Sequence, residues 1–223
     1  MSSSELAGRA LAASAPLLRR ARRAALLRRI AVLAAAAGAT VDADIALDAD
    51  IGPRVRVSVA PGTASRLRIG PQTRLGDGVV LQLKGGSIDL AGWVDLRRGV
   101  VLNVSGQLRI GEASMLGAGT TVHCAATVAV GDRVATGEYV TLVDSSHVHR
   151  EPGRPLLYDV ATGAVTVGDD TFLGAKATLT RSASVGAWCI VGAGSVVTGP
   201  VADRSFVSGV PAVFVREVDL PWE

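Results

Sequence analysis

The sequence predicts an all-β solenoid preceded by one α-helix, and three observations support this fold class. Aliphatic residues recur every six positions over the second half of the chain. Hydrophobic residues make up 48% of the 223 residues but aromatic residues only 4%, so the core must be built from small aliphatic side chains. Glycine is frequent, at 26 residues. This composition suits closely stacked short strands better than a helical bundle with bulky layers.

The most regular run of the repeat lies between residues 167 and 197. Its aliphatic positions are Val167, Leu173, Leu179, Val185, Val191 and Val197. A small residue stands two positions before each of the last five, at Thr171, Ala177, Ala183, Cys189 and Ser195. Glycine follows directly at Gly168, Gly174, Gly186 and Gly192. We expect one inward aliphatic residue per flat side, a small residue at each tight corner, and glycine where the backbone bends against normal sterics.

The spacing before this run is less regular. Residues Ile110, Leu116, Val122 and Val128 are six apart, and the series continues from Val130 after a two-residue slip. Short strand-like segments between 41 and 109 keep the spacing only intermittently. The sequence therefore predicts degenerate coils over 41–109, regular coils over 110–197, an interrupting loop over 143–166 and a C-terminal tail over 198–223. The uncharged stretch 182–202 is predicted to be sheet, because glycine and proline interrupt it and its aliphatic residues recur every six positions.

The first forty residues form a separate predicted segment. Alanine, leucine and arginine predict a helix over 5–37, with Gly38 as a stop signal. Seven arginines stand among the first 29 residues, against one acid, Glu5. The first interpretation is a helix that caps the solenoid domain (41–223). The second is a weak contact with an anionic membrane surface or an acidic partner. Nucleic-acid binding is not expected, because no aromatic platform accompanies the arginines.

The two cysteines and the N-terminus bear on cellular location. Cys124 and Cys189 have neither disulfide nor metal-site spacing, which fits a reducing compartment. No convincing secretory signal precedes the solenoid. We therefore expect a cytoplasmic protein, and no metal is expected.

The loop 143–166 is the predicted functional site. It interrupts the repeat once and carries two of the chain's three histidines, His147 and His149. An imidazole titrates near neutral pH, so it can accept the proton of an attacking hydroxyl or amine. His147 is the first candidate for this base and His149 the second, while Asp144 is a candidate to fix the imidazole tautomer. His123 lies inside the regular repeat and is expected to face outward from a side.

The repeat resembles that of the hexapeptide-repeat acyltransferases, most closely the sugar and small-molecule O-acetyltransferases. The segments that carry the resemblance are 167–179, 191–198 and 208–216. The resemblance implies a left-handed parallel β-helix of triangular section, a homotrimer, acetyl-CoA as co-substrate, and a catalytic histidine at the start of the loop. Two positions depart from the family pattern. Phe172 stands where relatives usually have tryptophan, and Gly199 stands where they often have a lysine that would grip phosphate.

The resemblance also implies where coenzyme A would lie. Small residues at Gly174, Ala175, Ala193 and Gly194, together with Thr198, would line the path of the pantetheine and adenine. Pro211 and Arg216 would stand near the adenine and phosphate end. Backbone N–H groups near Gly174 and Ala175 would stabilise the developing oxyanion.

Other functions remain open at this point. The leading hypothesis is acetyl transfer to a hydroxyl of a sugar, polysaccharide precursor or natural product. N-acetylation of an amino sugar is an alternative within the same enzyme class. A metal-dependent hydratase would use three histidines, but their spacing here does not match that function. A non-catalytic trimeric scaffold is the alternative from a different class.

Overall fold

The computed structural model describes residues 3–149, 152–153 and 159–220. These residues form a helix followed by short strands that wind into stacked coils. Parts of two predicted segments lie outside the described residues: 150–151 and 154–158 of the loop, and 221–223 of the tail.

The elements follow one another in a regular order. The helix α1 spans Ser3–Ala36. The strands of the coils before the loop are β1 (Thr40–Ile45), β2 (Asp50–Ile51), β3 (Arg56–Val59), β4 (Ala64–Ile69), β5 (Arg74–Leu75), β6 (Val80–Leu83), β7 (Ser87–Leu90), β8 (Asp95–Leu96), β9 (Val101–Val104), β10 (Gln107–Ile110), β11 (Met115–Leu116), β12 (Thr121–Cys124), β13 (Thr127–Val130), β14 (Ala135–Thr136) and β15 (Thr141–Val143). The later strands are β16 (Ser145–His147), β17 (Val160–Thr162), β18 (Val165–Val167), β19 (Phe172–Leu173), β20 (Thr178–Leu179), β21 (Ser184–Val185), β22 (Ile190–Val191), β23 (Val196–Val197), β24 (Pro200–Val201), β25 (Ser205–Gly209) and β26 (Ala212–Glu217).

Three parallel sheets form the sides of a triangular prism. Side A contains β1, β4, β7, β10, β13, β18, β21 and β24; side B contains β2, β5, β8, β11, β14, β19, β22 and β25, with β26 added antiparallel at its end; side C contains β3, β6, β9, β12, β15, β20 and β23. The chain passes from A to B to C in every coil, so the prism has A–B, B–C and C–A corners. This architecture confirms the predicted left-handed parallel β-helix with an N-terminal helix.

The core consists of stacks of like residues. Val167 lies against Val185, Leu173 against Val191 and Leu179 against Val197 in the strand registers, and all six are buried. The small corner residues Thr171, Ala177, Ala183, Cys189 and Ser195 are also buried. The prediction of one inward aliphatic residue per side, with a small residue at the corner, is confirmed for these coils.

The coils before the loop are longer than a strict six-residue repeat allows. Leu90, Ile110 and Val130 are neighbours in the side A register, so each of these coils takes 20 residues. Sides A and C each carry two inward residues in a four-residue strand, as Leu108 and Ile110 do in β10. The two-residue slip in the sequence is this extra inward position. The change to shorter coils therefore falls after the loop, not at Ile110 as predicted.

The glycines that follow the aliphatic residues have a different role from the one predicted. Gly168 and Gly174 do not have positive φ angles; the left-handed positions lie two residues later, at Asp170 and Lys176. A Cβ on Gly168 would lie 2.5 Å from the backbone nitrogen of Ala187 in the next coil. Glycine is required here because consecutive coils approach each other too closely for a side chain, and not because the backbone bends.

Helix α1 caps the first coil, which confirms the first of the two interpretations of this segment. Leu26, Ile30 and Ala34 are buried against the end of the prism. Three arginines of the same helix donate hydrogen bonds to carbonyls of the first coil: Arg23 Nε to Ile45 at 2.7 Å, Arg22 to Ile51 at 3.4 Å and Arg29 to Val55 at 3.4 Å. No coil precedes the first one, so no backbone N–H groups are available to donate to these carbonyls. The guanidinium groups donate to them instead.

The uncharged stretch 182–202 is sheet, as predicted, and contains β21 to β24. Among the described residues, no helix combines the length and the hydropathy that a membrane-spanning helix requires.

Two glycines provide a matched test of the close approach between coils. Gly168→Ala should lower the free energy of unfolding by about 1–3 kcal/mol, because the new methyl group meets the backbone of the next coil. Gly199→Ala should change it by less than about 0.5 kcal/mol, because no atom lies within 4 Å of its Cβ position and its φ is not positive. Urea denaturation of both variants measures the difference, and equal effects would contradict this account of the glycines.

Candidate active site

The loop leaves the prism at the C–A corner and begins as a short hairpin. Strands β16 and β17 pair antiparallel, with Ser145 opposite Thr162, Ser146 opposite Ala161 and His147 opposite Val160. The Val148 N–H donates to the Asp159 carbonyl at 2.9 Å and extends the pairing by one step. His147 and His149 are both exposed on this hairpin. The two histidines of the predicted site are therefore presented to solvent beside the solenoid.

The base of the hairpin is fixed to the prism on both sides. The Gly163 N–H donates to the Asp144 carbonyl at 2.8 Å and closes the hairpin. Arg181, at the C–A corner of the following coil, donates from Nε to Ser146 Oγ at 3.0 Å. These contacts hold the strand that carries His147 at a defined height on the prism.

Asp144 has contacts that do not support its predicted role beside an imidazole. The side chain is fully buried. Its Oδ1 accepts the N–H of Ala125 at 2.7 Å, and its Oδ2 accepts the N–H groups of Ala126 and Thr127, both at 2.7 Å. Both carboxylate oxygens are thus used by the C–A corner of the coil below, and Asp144 locks the point where the loop departs.

A second carboxylate, which no sequence pattern marked as a candidate, is buried at the hairpin. Asp159 is 3% exposed and directly precedes Val160, the partner of His147 in the hairpin register. Asp159 follows His147 by twelve positions in the sequence, and only the hairpin pairing brings them to the same level. No local motif in the sequence marks it.

The third histidine faces outward, as expected. His123 is exposed on side C, and its Nδ1 lies 3.2 Å from the side-chain amide nitrogen of Asn103 in the coil below. The neighbouring Cys124 is buried. Burial, together with the nearby Asp144 carboxylate, raises the pKa of the Cys124 thiol to about 11, which keeps it protonated at neutral pH. Burial also raises the pKa of Cys189. Neither thiol is suited to act as a nucleophile.

The residues predicted to contact coenzyme A fall on two different corners. Gly174 and Ala175 stack under Ala193 and Gly194 at the B–C corner, where the Gly194 N–H donates to the Ala175 carbonyl at 2.9 Å. Pro211 continues this column in the turn between β25 and β26. Thr198, in contrast, is exposed at the C–A corner above the hairpin. Side C separates the two groups within one chain.

Arg216 lies apart from both corners. It is on β26, which extends side B, and its guanidinium carbon is 5.5 Å from the centre of the Phe206 ring. Its Nη1 donates to the Glu217 carbonyl at 2.9 Å. Among the described residues, no group of three or more histidine, cysteine or acidic side chains is arranged to hold a metal ion.

The geometry and the sequence comparisons agree on one family. A family model described as the hexapeptide repeat of succinyl-transferase matches residues 164–199. A probable acetyltransferase of Mycobacterium tuberculosis is 26% identical over 61% of this chain and 46% of its own length. Galactoside O-acetyltransferase of Escherichia coli is 29% identical over 42% of this chain and 45% of its own. The chain contains this repeat and is similar to the hexapeptide-repeat acyltransferases. It spans about half the length, or less, of these curated relatives.

Solved structures of other proteins show the same fold. An N-acyltransferase from Bacillus cereus, solved with dTDP and coenzyme A, has a TM-score of 0.52 at 20% identity and covers 76% of this chain and 84% of its own. A galactoside acetyltransferase solved with coenzyme A has a TM-score of 0.50 at 23% identity and covers 56% of this chain and 64% of its own. At these identities the likeness establishes the fold.

Two aspartates provide a matched test of the loop anchor. Asp144→Asn should lower the free energy of unfolding by about 3 kcal/mol, because an amide cannot accept three backbone N–H groups and its own NH2 opposes one of them. Asp132→Asn is the control, since Asp132 Oδ1 accepts one N–H, from Glu112 at 2.7 Å, and an amide oxygen can replace it. That loss should stay below about 1 kcal/mol. Chemical denaturation followed by circular dichroism gives both values, and a small effect of Asp144→Asn would contradict the anchoring role.

Proposed function

We propose that this chain transfers an acetyl group from acetyl-CoA to a hydroxyl of a sugar, a polysaccharide precursor or a natural product. The observation that carries the proposal is the exposed histidine pair on a hairpin that interrupts an otherwise continuous solenoid. Similarity to acetyltransferases supports acyl transfer, and the similar proteins include a galactoside O-acetyltransferase and a galactoside acetyltransferase solved with coenzyme A.

His147 is the proposed general base. Its imidazole would take the proton of the acceptor hydroxyl as the oxygen attacks the thioester carbonyl carbon. The C–O bond then forms, the C–S bond breaks, and the protonated imidazole returns the proton to the departing thiolate. His149 is the alternative base, because both histidines are exposed on the same hairpin. Asp159 takes the place of Asp144 as the proposed positioning carboxylate, since it is buried next to the residue that pairs with His147.

The B–C corner is the proposed path of coenzyme A. The Gly174 N–H is already used, because it donates to the Val191 carbonyl at 2.8 Å. The Ala175 and Ala193 N–H groups have no protein acceptor within the described residues. A pantetheine chain carries amide carbonyls that such outward N–H groups can bind, and small side chains at both positions allow the close approach. Ala175 rather than Gly174 is therefore the proposed oxyanion donor.

The separation of the two corners supports a homotrimer. His147 and Thr198 lie at the C–A corner, whereas Ala175 and Ala193 lie at the B–C corner of the same chain. One side of the prism, about 20 Å for six extended residues, lies between them. A complete site would form where the C–A corner of one copy meets the B–C corner of the next, and threefold symmetry would make three such sites.

A groove at the C–A corner is the proposed entry for the acceptor. It encloses about 630 Å³ and extends over the corners of the coils below the hairpin, from Ser65 to Ala126. Arg66 and Gln107 contribute polar side chains to it. Ala125 and Ala126 belong both to this groove and to the corner that Asp144 holds, so the groove reaches the base of the hairpin. Its polar lining fits a hydroxylated acceptor; an amino sugar fits it equally, and N-acetylation is the second proposed reaction.

Substituting each histidine of the hairpin in turn distinguishes the two candidate bases. His147→Ala should reduce kcat for acetyl transfer by about 10²- to 10⁴-fold, whereas His149→Ala should retain most activity. Release of coenzyme A thiol from acetyl-CoA, measured with a panel of sugars and amino sugars, gives the rates. If His149→Ala is the inactive variant, His149 is the base. If both variants keep full activity, the loop is not the catalytic site, and if acetyl-CoA does not bind at all, a non-catalytic scaffold is favoured.

Mixing two inactive variants tests whether the active site is shared between copies of the chain. Chains carrying His147→Ala and chains carrying Ala193→Trp should each be inactive, because one loses the base and the other blocks the B–C corner. Equal mixing by denaturation and refolding should restore about a quarter of the wild-type activity, since about one interface in four then joins two intact corners. Refolding each variant alone is the control. No recovery in the mixture, with mixed trimers demonstrated by a mass tag, would contradict the shared site.

A further inference from the structure

A second cavity lies at the opposite end of the prism from β26. It encloses about 530 Å³ between helix α1 and the B–C corners of the first three coils. Its lining comes from Arg29 of the helix, residues 53–56 of the first coil, Asp77 and Gly78 of the second, and Arg98 and Gly99 of the third. We call this cavity the arginine pocket. The third coil is separated from the Gly174 corner by three coil steps, about 14 Å along the axis, so the arginine pocket is distinct from the proposed acyl-transfer site.

The pocket carries an excess of positive charge. Four arginines line it, Arg29, Arg54, Arg56 and Arg98, against the single carboxylate of Asp77. Arg54 is paired with Asp77 through Nε at 2.9 Å and through a closer contact of Nη2. Four guanidinium groups and one carboxylate leave three positive charges without a counter-charge in the lining.

Two of these arginines are uncommitted. The side chains of Arg56 and Arg98 have no hydrogen bond or ion pair to another described residue, although the positive charge of Arg98 helps to lower the pKa of Asp77. By contrast, Arg68 is paired with Asp89 at 2.9 Å on side A, and Arg133 is paired with Asp170 at 2.6 Å at the A–B corner. Arg29 uses one nitrogen for the Val55 carbonyl at 3.4 Å and keeps its other donors. The donors available in the pocket are planar guanidinium forks, which match the geometry of phosphate oxygens.

The backbone of the pocket leaves room for a ligand. Gly78 and Gly99 have φ of +70° and +72°, and no atom lies within 4 Å of the position a Cβ would occupy. Glycine is not the sole residue that takes this corner position, since Tyr139 and Lys176 hold it in later coils with similar positive φ. The two glycines therefore leave open space among the arginines, above a floor formed by the buried Val55.

We propose that the arginine pocket binds a phosphate-bearing molecule through a phosphate or pyrophosphate group. Three uncompensated charges from separate coils and from the helix suit a multiply charged anion better than a single carboxylate. Arg56 and Arg98 would donate to the phosphate oxygens, and Arg29 would add further donors from the helix. A soluble phosphate ester and a lipid headgroup offer the same chemistry, and the experiment separates these two sources.

Titration of the full chain with inorganic pyrophosphate at constant ionic strength tests the proposal. Isothermal titration calorimetry should detect one site per chain, and the thermal unfolding midpoint should rise with pyrophosphate concentration. The double variant Arg56→Ala/Arg98→Ala should weaken binding by at least about tenfold. Arg109→Ala is the matched control, because Arg109 is an exposed side A arginine that lines no part of the pocket, and it should bind as the wild type does. The single variant Arg98→Gln provides a milder change if the double variant unfolds at a lower temperature.

The titration and a vesicle-binding experiment have distinct outcomes for the proposal and for the source of the phosphate. Absence of binding up to about 10 mM pyrophosphate, which corresponds to about 2.7 kcal/mol of affinity, overturns the proposal. An equal loss in Arg109→Ala also overturns it, because binding would then follow net charge alone. Vesicles with and without phosphatidylglycerol identify the source: vesicle binding that pyrophosphate reverses points to a headgroup, and vesicle binding that is absent, or that pyrophosphate leaves unchanged, points to a soluble phosphate. The readout does not involve acetyl transfer, so it stands or fails independently of the proposed function.

Discussion

Hydrogen bonds between consecutive coils run along the axis of the prism, and they require each coil to hold its corners above those of the coil below. This constraint decides which residues each position accepts. Inward positions must hold side chains that stack on their equivalents, as Leu173 does on Val191. Corner interiors must be small, because two sides converge there. The glycine after an aliphatic residue, such as Gly168, is set by the same contact, because the neighbouring backbone occupies the place of a Cβ.

The same constraint creates the polar groups at the corners. A corner turn leaves backbone N–H groups that the strand ladders do not reach, and aspartates accept them from the adjoining coil. Asp169 Oδ1 accepts the Asp132 N–H at 2.9 Å, and Asp203 Oδ1 accepts the Ala187 N–H at 2.8 Å. Asp144 belongs to this group, but it is buried and accepts three N–H groups instead of one. The loop can depart from the solenoid at this point because a carboxylate replaces the coil-to-coil contacts that the departure removes.

The parts of the fold that depend on local repetition were predictable from the sequence, and the parts that depend on pairing at a distance were not. The aliphatic run from Val167 and its small corner residues are local, so both the sheet and its core could be read directly. The 20-residue coils were obscured because two inward residues on a side break a six-residue period. The sequence placed Asp144 near His147 but did not show that its oxygens face the coil below. Asp159 could not be identified, because hairpin register alone brings it to the level of His147.

Helix α1, whose arginines bind carbonyls of the first coil, has a consequence for the solubility of the whole prism. A stack of parallel coils has the same backbone pattern at every level, so a bare first coil is a template on which the last coil of another molecule can add. Helix α1 prevents this by covering the apolar end with Leu26 and Ile30 and by occupying outward carbonyls with Arg22, Arg23 and Arg29. At the other end, β26 runs antiparallel and breaks the parallel pattern. The two ends together make the solenoid a particle of fixed length, where the repeat alone would specify an open filament.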